Sequence, residues 1–423
     1  MKIEEKAIEI LKEQVCDSCL GRQFGSLLSG FSNEQRGKIL RQYVAFLIDS
    51  GEKIDVDFSN FYGMKFRNVK VKTEKLDKCK LCKNFFFEKL NETAKEIIKK
   101  SKGMEFKTFL IGSIVSGETL KAEEEIWSRV GIEFCEPIKS EINRELGKRI
   151  EELTDKKFES KNPDITIIVD MNENRIRIDI RSLYVSGKYQ KLVRGIPQSK
   201  WICLRCHGKG CLNCKGEGKL YKTSVQEIID KPLLKATESK KSKFSAHGRE
   251  DIDARCLDYR PFVLELIKPV KRKIDLKKIE KEINKSKKVK VKNLKISTRE
   301  AIKKLKFMKF DKTYLAIVKF EKKIDRKKLK GMKSLMKEPI LQKTPLRVVH
   351  RRADKFRRRN VKGISWKISG EKELQLKIKG ETGLYIKELI TGDEGRTKPN
   401  ISEILNNKVK KISLDVIKIH SKG

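Results

Sequence analysis

The feature that most constrains this chain is the spacing of its cysteines. Eight of the ten fall in four Cys-x-x-Cys pairs, Cys16/Cys19, Cys79/Cys82, Cys203/Cys206 and Cys211/Cys214, leaving Cys135 and Cys256 alone. Two thiolates at that spacing reach one tetrahedral Zn²⁺, so each pair is half of a metal site. The N-terminus "MKIEEKAIEILKEQV" is acidic and amphipathic rather than a signal peptide, so reduced knuckles are expected rather than disulfides. Joining Cys16/Cys19 to Cys79/Cys82 gives a closed four-thiolate zinc site, structural rather than catalytic; the bland alternative is four small buried residues. The run "CLRCHGKGCLNCKGEG" is two tandem Cys-x-x-Cys-x-Gly-x-Gly units whose glycines permit sharp turns that aim backbone amides at the sulfurs. Its four cysteines can complete a second site on their own, leaving His207 facing solvent or RNA.

Charge narrows the partners. With 100 Lys+Arg against 58 Asp+Glu the net charge is +42, an imbalance that solubility does not require and heat adaptation, which raises both signs, does not explain. A polyanion, nucleic acid first, is the expected partner. No stretch approaches the ~18 apolar residues of a membrane span, so a soluble, cytoplasmic protein without membrane contact is expected.

At 423 residues the chain has room for two or three domains. Apolar spacing predicts a helix over 3–15, a buried strand over 107–115, a helix over 140–153 opened by a Ser cap, and two strands over 164–189 joined near Asn172–Asn174. In the second of these, Ile176, Ile178 and Ile180 alternate with Arg175, Arg177 and Arg181, a core face backed by a basic one. The lysine-dense piece 268–292 reads as a partly solvated helix. The domain boundary is expected near Gln198–Lys200, giving an α+β chain of two domains, 1–199 and 200–423.

Into this basic background the stretch "HGREDIDAR" places Glu250, Asp251 and Asp253. An isolated Asp most often caps a turn or pairs with a nearby Arg such as Arg249 or Arg255. Here "GRED" resembles the G-R-x-D motif of pseudouridine synthases. "DKTYLAIVKF" resembles the family strand that presents an aromatic, here Tyr314, and "TGLYIKELITGDEGRTKPNISEIL" its last motif, with Tyr385 and Lys387. Together with "CLGRQF", "SGKYQKLVRGIPQSKW" and "KTPLRVVHRRADKFRRR", these segments are similar to the archaeal and eukaryotic tRNA pseudouridine synthase that acts on neighbouring uridines, positions 54 and 55, of the T loop. One departure stands out: after "DIDAR" a glycine-bearing turn is expected, and Cys256, Leu257, Asp258 and Tyr259 stand there instead.

The resemblance implies an N-terminal zinc-containing domain with a THUMP-type RNA-binding region, then a catalytic domain on a mixed, mostly antiparallel sheet in two halves. It implies Asp251 as the catalytic carboxylate, Lys387 as its cationic partner, Tyr314 and Tyr385 as walls for the uracil, and Arg249 helping to open or hold the RNA. The basic segment holding Arg347, His350, Arg351, Arg352, Arg357 and Arg358 suits phosphate contact and, through Phe356, wedge insertion. The expected partner is tRNA, through its T arm and acceptor end, and the enzyme is expected to be a monomer. Isomerisation needs no organic cofactor, because uridine to its C-glycoside involves no net redox change and no activated donor. Competing readings are a non-catalytic RNA-binding or assembly protein, and an Hsp40-type co-chaperone whose zinc region has the same Cys-Gly repeat. Among THUMP-linked enzymes a thiouridine synthetase would need an SGGxDS loop and a methyltransferase a Gly-rich cofactor strand end, and neither is present.

Overall fold

The computed structural model describes residues 1–75 and 77–420. The chain divides into two compact units, Met1–Arg181 and Ser182–Gly423.

In the first unit the opening helix runs Ile3–Leu11, burying Lys6, Ala7, Ile10 and Leu11, and stops short of the expected 15. The helix Asn33–Asp49 begins on a reciprocal cap: Ser32 Oγ accepts from the Gln35 amide at 3.1 Å while Gln35 Oε1 accepts from the Ser32 amide at 2.8 Å. Strands β1 (Thr108–Ile114), β2 (Lys157–Phe158), β3 (Ile165–Asp170) and β4 (Arg175–Ile180) form one sheet in the order β2-β1-β3-β4. β1 is parallel to β2 and β3, whereas β3 and β4 are the antiparallel hairpin expected around Asn172–Asn174. Ile176, Ile178 and Ile180 pack on the core while Arg175 and Arg177 are exposed, as their alternation predicts. The helix Ile138–Leu153 starts two residues before Ser140, on Pro137, whose φ of −60° already suits a helix start.

The second unit holds β5 (Leu183–Lys191), β6 (Lys241–Ala246), β7 (Arg255–Ile267), β8 (Val289–Ser297), β9 (Asp311–Phe320), β10 (Ile340–Gln342), β11 (Arg357–Arg359), β12 (Val361–Gly370), β13 (Glu373–Gly380), β14 (Thr397–Lys398) and β15 (Val409–His420). Its main sheet runs β12-β13-β9-β15-β7-β5-β8, with β6 also on β7; β10, β11 and β14 make a small separate sheet. The unit begins earlier than Gln198–Lys200 because β5, inserted between β7 and β8, buries Leu183, Val185, Tyr189 and Lys191 in this sheet. The lysine-dense run folds in part as the helix Leu276–Ile283, which buries Ile279 and Ile283 and leaves Lys277 and Lys278 in water. No turn interrupts "RCLDYRPF": Arg255 to Ile267 is continuous strand.

Every pairing in the main sheet is antiparallel except β15 with β7, whose register is only Asp415↔Arg255 and Val416↔Cys256. This short parallel seam joins the halves β12-β13-β9-β15 and β7-β5-β8. Side chains reinforce it. Asp415 accepts from Arg255 Nη2 and Arg194 Nη2, each at 2.6 Å, and Arg194 Nη1 also holds the carbonyls of Leu414 (2.8 Å) and Asp253 (2.7 Å).

Burial would push the Asp415 carboxyl up, but the two guanidiniums hold it below its ordinary 3.8. Its folded value is therefore depressed, so its stabilisation is present in full above the ordinary carboxylate range and fades as pH falls through it. Breaking a buried pair costs roughly 3–5 kcal/mol, and the partial exposure of both arginines lowers the expectation for Asp415→Ala to about 2 kcal/mol. Denaturant unfolding at pH 7 should show that loss, and the gap between wild type and variant should narrow near pH 3.

Candidate active site

The acidic stretch enters the second unit through a left-handed turn. Gly248 has φ +74°, and a Cβ there would stand 3.0 Å from Arg260 Nη1, so a side chain would be strained and would press on Arg260. Beyond the turn Glu250 goes inward and is 5% exposed. Its carboxylate lies 3.2 Å from Arg260 Nε, a coulombic contact rather than a straight hydrogen bond, and accepts from the Tyr189 hydroxyl at 3.0 Å. Gln198 Nε2 donates to that hydroxyl at 2.7 Å and to the Gly248 carbonyl at 3.0 Å; Arg260 Nη1 donates to the His247 carbonyl at 2.8 Å. Lys191, fully buried, donates to the carbonyls of Asp251 and Ile252, both at 3.0 Å, and burial pushes its ammonium down to about 8. The backbone on both sides of Asp251 is thus fixed from below.

Asp251 itself faces a cleft and meets two cations. Arg347 Nη1 donates to Oδ1 at 2.7 Å and Lys387 Nζ lies 3.2 Å from Oδ2. Burial would raise the Asp251 carboxyl, yet Arg347 and then Lys387 hold it below its ordinary 3.8, so it is ionised at neutral pH. Each cation is itself tethered. The buried Glu388 carboxylate accepts from Arg347 Nε at 2.6 Å, and Asp253 accepts from Lys387 Nζ at 2.8 Å with both oxygens. Asp253 therefore reaches across to the last motif rather than pairing locally. Lys387 opens the helix Ile386–Thr391, and Gln342 fixes its start by donating to the Tyr385 carbonyl and accepting from the Tyr385 amide, each at 2.9 Å.

The cleft has a volume of about 1010 Å³, and Arg249, Asp251, Tyr314, Arg347, Arg352, Arg357, Tyr385 and Lys387 all line it. Tyr314, on strand β9 between β13 and β15, is half-buried, and burial pushes its hydroxyl up to about 12, which keeps it neutral. Tyr385 Oη accepts from Arg352 Nη1 at 2.8 Å. His350 and Arg358 are exposed and do not line the cleft, and the Arg351 side chain lies outside the described residues. Sequence reasoning missed that Arg347, expected on phosphate, is the nearest partner of Asp251. It missed the support from Tyr189, Lys191, Gln198, Glu250, Arg260 and Glu388 altogether. Glu250, beside Asp251 in a basic chain, was the available signal; the others sit in ordinary strand and helix patterns.

Two family models match the chain: "Pus10, C-terminal" over residues 184–420 and "Pus10 THUMP domain, archaeal" over residues 93–170. It is 40% identical over 421 residues to "tRNA pseudouridine synthase Pus10" of Methanopyrus kandleri, covering 96% of each chain. The like-named protein of Methanocaldococcus jannaschii is 41% identical over 433 residues, covering 97% of this chain and 93% of that one. The chain belongs to the Pus10 family. Its first unit carries the THUMP region of that family and its second the Pus10 C-terminal region with the cleft.

Both cysteine quartets of this Pus10 chain are assembled. Within Cys16, Cys19, Cys79 and Cys82, and again within Cys203, Cys206, Cys211 and Cys214, the sulfurs all lie within 4.8 Å of one another, able to hold a metal ion. In the second, Sγ–Sγ distances of 3.8 Å match the ~3.8 Å edge of a tetrahedron around an ion bound at ~2.3 Å. The expected glycine turns are there: the Gly210 and Gly218 amides donate to Cys206 and Cys214 Sγ at 3.2 Å, both at positive φ.

Because its two cations depress Asp251, the ionised carboxylate should persist as pH falls below the ordinary value. Removing one cation reverses part of that shift. In rate–pH profiles between about pH 4 and 8, wild type should show no acid limb from Asp251, whereas Lys387→Met should bring one up into the measured range.

Proposed function

We propose that this tRNA pseudouridine synthase isomerises uridines 54 and 55 of the T loop, with Asp251 as the acting carboxylate. The observation that carries the reading is an Asp kept ionised by Arg347 and Lys387 in a cleft that also presents Tyr314 and Tyr385. The reaction breaks N1–C1′, turns the uracil and joins C5 to C1′, with the C5 proton replaced by one on N1. A carboxylate so held can attack the ribose or base, or take a proton from the sugar. Lys387 and Arg347 keep it charged until the substrate enters. Tyr314 supplies the π-face and Tyr385 a second wall for the extruded base.

Extruding a uridine costs a few kcal/mol of unstacking, which binding elsewhere must offset. Arg249, Arg352 and Arg357 at the cleft, with His350, Arg351 and Arg358 beyond it, supply phosphate contact. The THUMP unit takes the acceptor end of the tRNA, and the working form is a cytoplasmic monomer. Among the described residues no helix is long and apolar enough to cross a membrane.

Both quartets hold structural zinc, since closed sites of four thiolates leave no position open for a substrate. Elemental analysis of the purified protein should return two zinc ions per chain; one would leave the second quartet a set of thiols. Asp251→Asn should lower pseudouridine formation in an unmodified tRNA transcript by about a thousandfold, read by carbodiimide-blocked primer extension across the T loop. An active variant, or a wild type that gives no stop there, refutes the assignment.

A further inference from the structure

Residues 201–221 form a finger that the chemistry above does not use. Its legs meet at an antiparallel bridge between Ile202 and Lys219, and the second cysteine quartet lies beyond that bridge. At its base Trp201 and Tyr221 stand edge to face, ring centroids 5.5 Å apart and planes at 85°. Both rings are half exposed and line the same cleft as Asp251. Arg249, two residues before Asp251, lays its guanidinium over the Trp201 ring, 5.1 Å from its centroid. Leu204 and Leu212 farther along the finger are 82% and 98% exposed.

Size and charge say what this wall could meet. A cleft of about 1010 Å³ lies at the upper end of the roughly 300–1,000 Å³ that a single small ligand occupies, so one extruded nucleotide against Tyr314 leaves space. From Lys200 to Lys222 the basic residues are Lys200, Arg205, Lys209, Lys215, Lys219 and Lys222, against the single acid Glu217. Half-exposed aromatics with a stacked guanidinium, set among lysines, make a platform for single-stranded nucleic acid: every base has a π-face, and the backbone is anionic. Exposed leucines beside such a platform suit wedging between bases.

We propose that Trp201, braced by Tyr221 and Arg249, stacks the nucleobase adjacent to the uridine being isomerised, so that the finger holds the opened loop while Asp251 acts. This rests on the function proposed above, since it requires RNA in the cleft. It adds a second aromatic platform, carried by a different segment from Tyr314, and it makes Trp201 a substrate-positioning residue.

The chain has three tryptophans, so Trp127→Phe with Trp366→Phe leaves Trp201 as sole reporter. In that background, with Asp251→Asn to prevent turnover, unmodified tRNA transcript is titrated while filter retention and tryptophan emission are followed together. Trp201 emission should fall by at least about half along the filter-binding isotherm. In the otherwise natural enzyme, Trp201→Ala should lower kcat/KM by about tenfold to a hundredfold, with Trp201→Phe recovering most of it. tRNA retained on the filter with Trp201 emission unchanged overturns the inference, as does normal kcat/KM in Trp201→Ala. Should Trp201→Ala fail to fold, the emission arm still decides. A wild-type enzyme that modifies the T loop but has an unresponsive Trp201 sinks only this inference; a wild type inactive on that loop sinks the proposed function.

Discussion

The geometry around Asp251 depends on a buried ion pair beside it. Glu250 is sunk beneath the Gly248 turn against Arg260, both essentially out of contact with water. Taking two charges into the interior costs several kcal/mol each and is offset only when the remaining polar atoms find partners, here Tyr189 and the backbone carbonyl of His247. The return on that arrangement is orientation. With Glu250 drawn inward and Lys191 gripping the next two carbonyls, the backbone is held so that Asp251 faces the cleft.

The remaining parts converge on that carboxylate from elements remote in sequence. Arg347 comes from the basic segment that links β10 to β11 of the small sheet, Lys387 from the start of a helix whose N-cap is read by Gln342, and Tyr314 from strand β9, inside the main sheet. The seam between β7 and β15 is what lets the two halves of the sheet present these groups to one another, and Arg194 spans it by holding Asp253 on one side and Leu414 with Asp415 on the other. The positive charge of the chain serves two distances here: spread over the surface it attracts a polyanion, and within the cleft it keeps one acid ionised.

Much of this was legible in residue patterns because the patterns are local. The period-two alternation of 175–181 fixes which side of β4 is buried, and Cys-x-x-Cys spacing with following glycines dictates the knuckle turns at Gly210 and Gly218. Asp251, Tyr314, Tyr385 and Lys387 stand in the motif segments of the resemblance, and they share a cleft. The compact units divide at Arg181/Ser182, ahead of the expected Gln198–Lys200, because β5 follows the preceding hairpin without any composition break and yet pairs in the second unit's sheet. Helix starts at Ile138 rather than Ser140, and ends at Leu11 rather than 15, were set by packing at the ends, where propensity is weakest.

What the sequence by itself offered is a basic balance that points to a polyanion, four Cys-x-x-Cys pairs, and motif segments whose resemblance to a known family implied the chemistry and its carriers. Charge, pair spacing and motif segments are local, so they need no fold to be read. Only the tertiary structure decided who partners whom. It gave Arg347 to Asp251, sent Asp253 to Lys387, buried Glu250, and set Trp201 beside Arg249 at the cleft. Such pairings depend on distances between segments far apart along the chain, and on which charges burial forces to find one another, and neither quantity is written in any local stretch of residues.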